Sequence, residues 1–380
     1  MLTRTVETID LPVTTPGTTR ALRVIRYGSP GSRPKLYVQS SLHADEIPGM
    51  LVSHYLDRRL READKAGRIK GEVVLLPVAN PIGLSLFLRG RLSGRFELGN
   101  GVNFNRNYPD VSATVAKRIE GKLTRDEADN VALIRAQIRV AIDEYPAPDE
   151  TSLMRKTLLS LAADSDICLD LHCDWEAIMH VYLGTPLWPD AADLAAQMGS
   201  RATMLAEVSG GNPFDEAVGG IWWDLARRFP EFPIPPACLS STVELRGEND
   251  ISHDLAQMDA DNLFRFFMRR GAVDGDPGPL PELITPATPL EGVDPVKAPH
   301  PGVVVYLKQP GDRIAAGEAV AEIVDPWADS GNEPTVLYSR VSGVMFSRRS
   351  DRFARTGQTL CRVAGAEPLE DRVGGALLSD

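Results

Sequence analysis

The chain has 380 residues, of which 43% are hydrophobic, and its formal net charge is -11 at pH 7. This length predicts two domains with at least one large core, and the acidic balance argues against nucleic acid or anionic membranes as partners. Four scattered cysteines without a C-x-x-C spacing predict no disulfide framework. No signal-peptide core is evident near the N-terminus, and no apolar stretch approaches the roughly 20 residues that span a bilayer. We therefore expect a cytoplasmic protein.

The first 270 residues alternate predicted strands with predicted helices. A hairpin is predicted over residues 5–26, with a turn at 14–19, and a short strand follows at 36–39. A helix is predicted from Pro48 to about residue 66, because proline favours the first helical turn. Further strands are predicted at 71–78, 167–171 and 241–245, and further helices within 124–163 and at 190–198, 214–229 and 255–270. The alternation predicts an α/β fold with a mostly parallel sheet flanked by helices, in which ligands gather at the carboxyl ends of strands.

The pattern changes after the predicted first domain, residues 1–275. Residues 276–300 are rich in proline and glycine and are predicted to form a linker. Residues 301–366 contain short predicted strands separated by turns, which indicates a small all-β module, and residues 367–380 form a tail. The module resembles the barrel-sandwich fold of biotinyl and lipoyl carrier domains through Gly302-Val303-Val304, Gly311-Asp312, Gly317-Glu318 and Ser342-Gly343-Val344. A carrier needs a lysine, but none follows Lys308, so we expect a cap, a specificity wall or an oligomer contact.

A histidine and a glutamate three residues apart stand where a loop becomes a helix. His43 and Glu46 lie on one face there, so an imidazole nitrogen and a carboxylate can reach the same metal ion. His172, at the end of a predicted buried strand, is the candidate third ligand of a catalytic zinc site with an open fourth position. The plainer interpretation is a helix N-terminus whose acidic residues complement the dipole, together with a core histidine.

Further segments occur in a fixed order around these residues. They are Asn80-Pro81, then Arg95, then Asn105-Arg106, then Asp170-Leu171-His172, and last Thr242-Val243-Glu244-Leu245-Arg246. With His43 and Glu46 in front, this order resembles the succinylglutamate desuccinylase/aspartoacylase family of the zinc carboxypeptidase-like superfamily. The resemblance covers residues 35–270 and implies a carboxypeptidase-like sheet.

The resemblance also implies roles for individual residues. It implies that one Zn²⁺ per chain is bound by His43, Glu46 and His172, with Glu244 as general base, Arg95 at the oxyanion, and Asn105 and Arg106 on a substrate carboxylate. Arg89 and Arg91 are neighbouring candidates for the oxyanion role. Glu244 has the alternative interpretation of a strand residue paired with Arg246.

Asn103 departs from the family pattern, which usually has an aspartate there to orient the first zinc histidine. Our hypothesis is that the Asn103 amide accepts the His43 N–H and that zinc binds more weakly, because an amide raises ligand basicity less than a carboxylate. Cys173 is interpreted as a small buried residue, and Asp174 as a loop carboxylate or a group that binds a substrate ammonium. The remaining histidines are interpreted as structural: His54, His180, His253 and His300.

These residues together predict a zinc-dependent amidohydrolase that removes the acyl group from a small N-acylated amino acid or related carboxylate-bearing amide. Zinc-bound water would attack the acyl carbon with Glu244 as general base. One alternative, a metallocarboxypeptidase acting on short peptides, shares every motif. Another is a non-catalytic zinc-fold binding protein, against which the presence of Glu244 beside the three ligands argues. The expected partner is a small-molecule substrate, and a homo-oligomer stays open.

Overall fold

The structure is a computed structural model, and it describes residues 2–12, 15–329, 331–373 and 377–378. Thr14 of the predicted turn and part of the predicted tail lie outside these residues. In chain order the described strands are β1 (Thr5–Asp10), β2 (Ala21–Tyr27), β3 (Lys35–Ser40), β4 (Glu72–Leu76), β5 (Phe87–Leu88), β6 (Arg91–Leu92), β7 (Ile167–Asp174), β8 (Glu176–Ala177), β9 (His180–Leu183), β10 (Ala202–Leu205), β11 (Leu239–Gly247), β12 (Thr288–Pro289), β13 (Val293–Lys297), β14 (Gly302–Tyr306), β15 (Arg313–Ile314), β16 (Ala319–Val324), β17 (Thr335–Tyr338), β18 (Gly343–Arg348), β19 (Phe353–Ala354) and β20 (Thr359–Gly365).

The described α-helices are α1 (Pro48–Lys65), α2 (Pro81–Leu84), α3 (Ser112–Ile119), α4 (Glu127–Glu144), α5 (Glu150–Ala162), α6 (Ala192–Met198), α7 (Phe214–Arg228) and α8 (His253–Arg269). Helices α4, α5 and α8 begin where Asp126, Asp149 and Ser252 accept a backbone N–H of the first turn. The predicted helices at 48–66, 190–198, 214–229 and 255–270 are confirmed within two residues at each end.

A nine-stranded sheet, in the order β1-β2-β4-β3-β7-β11-β9-β10-β12, forms the centre of the fold. Strands β4, β3, β7 and β11 run parallel, β9 runs antiparallel to β11, and the β1–β2 hairpin adds to one edge. The predicted α/β fold with a mostly parallel sheet is therefore confirmed. Its middle strands are apolar on both faces, because helices cover both.

Alternate residues of each middle strand face different cores. In β3, Leu36 and Val38 pack toward α1, α6 and α8, whereas Tyr37 packs toward α3, α4, α5 and α7. In β7, Leu169 and Leu171 face the first core and Cys168 faces the second. This period of two residues puts His172 on the side of the sheet that carries α7.

The C-terminal region forms two further sheets, β13-β20-β18-β15 and β17-β16-β14-β19, which we call the β module together with their connections. Strand β8 pairs antiparallel with β18, so the module is joined directly to the segment after β7. Strands β12 and β13 lie inside the predicted linker at 276–300. Both are edge strands, where proline costs no ladder hydrogen bond, and this explains why a proline-rich segment pairs here. The domain boundaries themselves stay predictions.

Within the described residues, no helix is long and apolar enough to cross a membrane.

Candidate active site

Three neighbouring strands bring the predicted site residues to one edge of the main sheet. The loop after β3 carries His43 and Glu46 and leads into α1 at Pro48. Strand β7 pairs with β3 so that Leu171 lies opposite the last residue of β3, which places His172 beside that loop. Strand β11 pairs with β7 in a register that sets Glu244 opposite His172. Parallel pairing thus assembles groups that are far apart in the chain.

His43, Glu46 and His172 form one buried cluster. The Nδ1 atom of His43 lies 2.9 Å from Glu46 Oε1, and the Nδ1 atom of His172 lies 2.7 Å from Glu46 Oε2. One potential ligand atom from each residue lies within 4.8 Å of the other two, a spacing at which they could hold a metal ion. The two imidazole rings meet edge to face, with centroids 5.0 Å apart. The structure therefore brings together the three predicted ligands.

The hydrogen bonds of Asn103 determine which nitrogen of His43 is available to a metal. Asn103 Oδ1 accepts the backbone N–H of Asn105 at 2.8 Å, so this atom is an acceptor. His43 Nε2, 2.8 Å from the same oxygen, must then donate its proton, and the Nδ1 lone pair faces Glu46. Burial lowers the pKa of His43 to about 4, and the nearby Arg95 cation acts in the same direction, so the neutral ring dominates at neutral pH. A neutral imidazole is the form that binds metals.

His172 is supported by a carboxylate instead of an amide. Asp170 Oδ2 lies 2.9 Å from His172 Nε2, and this leaves Nδ1 directed at Glu46. Burial opposes charge on this ring, but the Asp170 and Glu46 carboxylates outweigh burial and raise the pKa of His172 well above its usual range. A carboxylate behind a metal-binding histidine increases the basicity of the ligand nitrogen. Sequence reasoning did not single out Asp170, although its position two residues before His172 on a strand puts both on one face.

Glu244 presents an unsatisfied carboxylate oxygen beside the cluster. Its Oε2 atom is buried and has no hydrogen-bond partner among the residues that the structure describes. Burial, with Glu46 as a further cause, raises the pKa of Glu244 well above its usual range. The alternative pairing with Arg246 is wrong, because Arg246 binds Asp259 instead. An unpartnered buried acceptor is costly unless a ligand or water satisfies it, which is typical of a functional group.

Arg95 is the one of the three candidate arginines that reaches the cluster. Its Nη1 atom lies 3.0 Å from Glu46 Oε1 and 3.1 Å from His43 Nδ1. Arg89 and Arg91 are exposed in the β5–β6 hairpin. Neither of them lines the cleft, and position in the sequence alone could not separate the three arginines.

Asn105 and Arg106 lie on the adjacent wall. Asn105 Oδ1 accepts the Phe214 N–H at the start of α7, and its Nδ2 lies 3.5 Å from His172 Nε2. The Arg106 side chain crosses Gly211, where an added Cβ would stand 2.5 Å from Arg106 Cδ. Glycine at position 211 therefore leaves the room that this guanidinium needs.

One cleft is lined by His43, Glu46, His172, Glu244, Arg95, Asn105 and Arg106. Tyr182, Met204, Trp223, Asp215 and Glu216 also line this cleft. Burial and the neighbouring Asp215 raise the pKa of Glu216 to about 7. The sequence showed no signal for these two carboxylates, because nothing in their local pattern distinguishes them from the first turn of an ordinary helix.

The residues next to His172 also lie at the cleft. Cys173 is buried, and its backbone N–H donates to Glu46 Oε2 at 3.0 Å. Asp174 accepts a hydrogen bond from Arg362 of the β module, an arginine that the sequence analysis missed. The four histidines that were interpreted as structural lie outside the cluster. His54 and His253 contact Tyr55, His180 is hydrogen-bonded to the Ile178 carbonyl, and His300 is hydrogen-bonded to Thr335.

Solved structures with the same fold carry family names that agree with the motifs. No protein-family model and no curated protein matches the sequence. A succinylglutamate desuccinylase/aspartoacylase family protein from Shewanella amazonensis is 24% identical, with a TM-score of 0.82 over 95% of this chain and 98% of that chain. A protein of the same description from Shewanella frigidimarina is 22% identical, with a TM-score of 0.84 over 97% of this chain and 100% of that chain.

The chain has the fold of these family proteins. The ectoine utilization protein EutE (DoeB) from Ruegeria pomeroyi, in its product-bound structure, is also similar. It is 15% identical, and the match has a TM-score of 0.68 and covers 96% of each chain. The resemblance that the motifs indicated over residues 35–270 thus extends, at the level of fold, to nearly the whole chain, including the β module.

Proposed function

We propose that the protein is a zinc-dependent amidohydrolase that removes the acyl group from a small N-acylated amino acid or a related carboxylate-bearing amide. One observation carries the proposal: the buried His43–Glu46–His172 cluster shares a cleft with an unpartnered carboxylate oxygen of Glu244. The cleft also contains Arg106, a group that binds carboxylates through two parallel hydrogen bonds. Fold similarity to the family proteins supports the proposal.

The donor set fits zinc. Two imidazole nitrogens and one carboxylate oxygen are the ligands of many catalytic zinc sites, and the Nε2 atoms of the two rings lie 2.8 Å from Asn103 Oδ1 and 2.9 Å from Asp170 Oδ2. A bound zinc ion would supply Lewis-acid chemistry and lower the pKa of a coordinated water to about 7. His43, Glu46 and His172 would hold it, which leaves Glu244 and Arg95 available for the substrate.

Glu244 is the proton carrier in this proposal. Its Oε2 atom takes a proton from the attacking water and delivers that proton to the leaving nitrogen as the C–N bond breaks. The high pKa of Glu244 follows from burial and from nearby carboxylates. Additional positive charge in the cluster would favour the ionised form that a base requires.

Arg95 and Arg106 divide the negative charges of the substrate between them. Arg95 Nη1, already at the cluster, stabilises the oxyanion that forms when the acyl carbon becomes tetrahedral. Arg106, with Asn105 beside it, holds the carboxylate of the amino acid and so fixes the scissile bond near Glu244.

The test is the variant Glu244→Gln, assayed on a panel of N-acyl amino acids with metal content measured in parallel. We expect kcat to fall at least about 100-fold while zinc stays at one per chain, since loss of general acid–base catalysis costs this much. Glu207→Gln is the matched control, because Glu207 is an exposed glutamate paired with Arg227 outside the cleft. Equal turnover by Glu244→Gln and wild type would remove Glu244 from the mechanism.

The same panel separates the rival functions. A metallocarboxypeptidase would hydrolyse dipeptides faster than N-acyl amino acids. A non-catalytic binding protein would bind zinc and hydrolyse neither class.

A further inference from the structure

The β17-β16-β14-β19 sheet of the β module is largely apolar on both of its faces. Its inner face contributes to the core of the module through Val304, Ile323, Leu337 and Ala354. Side chains one position along each strand lie on the opposite face, which we call the outer face. Together with the segments that follow β14 and β16, the outer face contains seven exposed large hydrophobic side chains: Val303, Val305, Leu307, Val324, Trp327, Tyr338 and Phe353.

Strand pairing joins these side chains into one patch. Val303 on β14 lies opposite Val324 of β16 on one side and opposite Phe353 of β19 on the other. This row of three apolar side chains therefore crosses the sheet. Single exposed hydrophobic residues are normal on a protein surface, whereas a contiguous apolar patch marks an interaction surface.

The size of the outer face fits an interface between two proteins. Trp327 is 95% exposed, and Tyr338 and Phe353 are more than half exposed, so these three side chains present roughly 450 Å². The four aliphatic side chains are 40% to 45% exposed and bring the apolar area to roughly 700 Å². A stable complex buries about 800 Å² on each partner. The apolar side chains of the outer face thus provide most of the area that a stable complex needs.

Two charged groups of opposite sign accompany the outer face. Glu322 lies opposite Val305, on the β16 side of β14. Arg355 is exposed and follows Phe353 by two residues, on the β19 side of β14. Neither side chain has an ion-pair or hydrogen-bond partner among the described residues. A single copy of the chain therefore leaves an anion and a cation unpaired beside the apolar patch.

We propose that the outer face is the contact between two copies of this chain, related by a two-fold axis close to Val303. The strand register places Glu322 two positions from Val303 toward one end of β14, and Arg355 two positions toward the other end, on the far side of the strand. A two-fold axis that lies in the plane of the face and passes midway between them brings each copy's Glu322 to the partner's Arg355. Such an axis uses one patch twice, as in most protein dimers.

The contact leaves the candidate active site accessible. None of the outer-face side chains lines the cleft. The module meets the main sheet through its other sheet, in which β18 pairs with β8. Each copy therefore keeps its own cleft, and the association does not depend on the hydrolytic role proposed above.

Sedimentation velocity of the full chain at micromolar concentrations measures the association. We expect wild type to sediment with twice the mass of one chain. Val303→Lys brings two like charges together at the axis and should weaken the association at least about 100-fold. Val6→Lys is the matched control, because Val6 is a similarly exposed valine on β1, at the edge of the main sheet, and this variant should associate as wild type does.

Reversal of the two charges tests the two-fold arrangement without changing the apolar area. Glu322→Arg alone, or Arg355→Glu alone, should weaken the association about 10-fold, because like charges then face each other across the contact. The double variant exchanges the two charges and should associate within about threefold of wild type, since opposite charges face each other again. Weakening in the double variant as large as in the single variants would overturn the proposed pairing.

Two results of sedimentation would overturn the inference as a whole. One is a wild-type monomer at every concentration, and the other is a dimer that Val303→Lys leaves intact. A monomer that binds vesicles of neutral phospholipid would make a lipid surface the occupant of the outer face and would also overturn it. Thermal unfolding shows whether each variant is folded, and if Val303→Lys is not, the charge-reversal series decides by itself.

Discussion

The sheet side of the cleft and the contact between β8 and the β module, which we call the module side, differ in how far their charged side chains are exposed. On the sheet side, Glu46, Asp170 and His172 are buried, with side chains at most 10% exposed. On the module side, the ion pairs of Glu176 with Arg348 and Arg352 involve side chains that are 21% to 42% exposed. Both regions are rich in salt bridges, and the Glu176 pairs are more exposed than the pairs among Glu46, Asp170 and His172.

This difference in exposure corresponds to a difference in role: the sheet side carries the candidate catalytic groups, and the module side attaches the β module. Burial forces large pKa shifts on the sheet side, including the raised pKa of Glu244, and such shifts gather at catalytic sites. The exposed pairs of the module side are individually weak, because water and salt screen them, and they serve to hold the module in place. Substitutions that change a charge should therefore alter metal affinity or stability strongly on the sheet side and alter stability only weakly on the module side.

The largest expected effect is on metal affinity, through the groups behind the two histidines. Asp170→Asn removes the carboxylate behind His172 and should weaken zinc binding about 10- to 100-fold, measured by chelator competition. Asn103→Asp makes the opposite change behind His43 and should tighten binding by up to about 10-fold. One histidine is backed by an amide and the other by a carboxylate. Opposite changes in zinc affinity in the two variants would show that this difference matters.

Equal affinity in Asn103→Asp and wild type would show that the Asn103 amide does not limit the metal site. Asn80→Asp is a poor control, because Asn80 caps α2, so the exposed change Asn100→Asp serves instead.

The sheet side could be predicted from the sequence because its chemistry follows local spacing and strand ends. His43 and Glu46 lie three residues apart, and His172 and Glu244 end or continue strands whose apolar pattern is visible. Parallel pairing then brings these residues together, because the carboxyl ends of neighbouring strands meet at one edge of the sheet. The order of the motifs along the chain was the signal, and the geometry agrees with it.

The module side could not be predicted in this way. Arg362 reaches Asp174 across 188 positions of the chain, and its place depends on how β18 docks against β8. No local pattern marks such a residue. Strand β13, within the proline-rich segment, could not be predicted for a related reason: it gains its hydrogen bonds from β20, a partner that the segment itself does not reveal.

A second prediction concerns the pH dependence of stability on the sheet side. The pKa of Glu216 is raised to about 7 in the folded protein, mainly by burial, from a model-peptide value near 4.3. An acid with a raised folded pKa favours the folded state while it is protonated there, and this contribution is lost as pH rises toward 7. Between pH 5 and pH 8, the unfolding free energy of wild type should therefore fall by about 2 kcal/mol more than that of Glu216→Gln.

Urea unfolding of both proteins at the two pH values measures this difference. Glu207→Gln, a change at an exposed glutamate, should show almost none. A constant difference between Glu216→Gln and wild type across this pH range would mean that Glu216 ionises normally in the cleft.

The smallest expected effect lies on the module side, at Glu176. Its carboxylate lies 2.6 Å from Arg348 Nε and 2.5 Å from Arg352 Nη2, and Glu176→Gln removes both ion pairs while keeping the shape of the side chain. Partial exposure limits the loss to about 1 kcal/mol of unfolding free energy, and the loss should fade in high salt because exposed charges are screened. Urea unfolding at low and high ionic strength provides the measurement, with Asp351→Asn as a control at a more exposed pair. A salt-independent loss above about 3 kcal/mol would place Glu176 with the buried charges, and the sheet side and the module side would then differ in composition but not in how strongly their stability depends on charge.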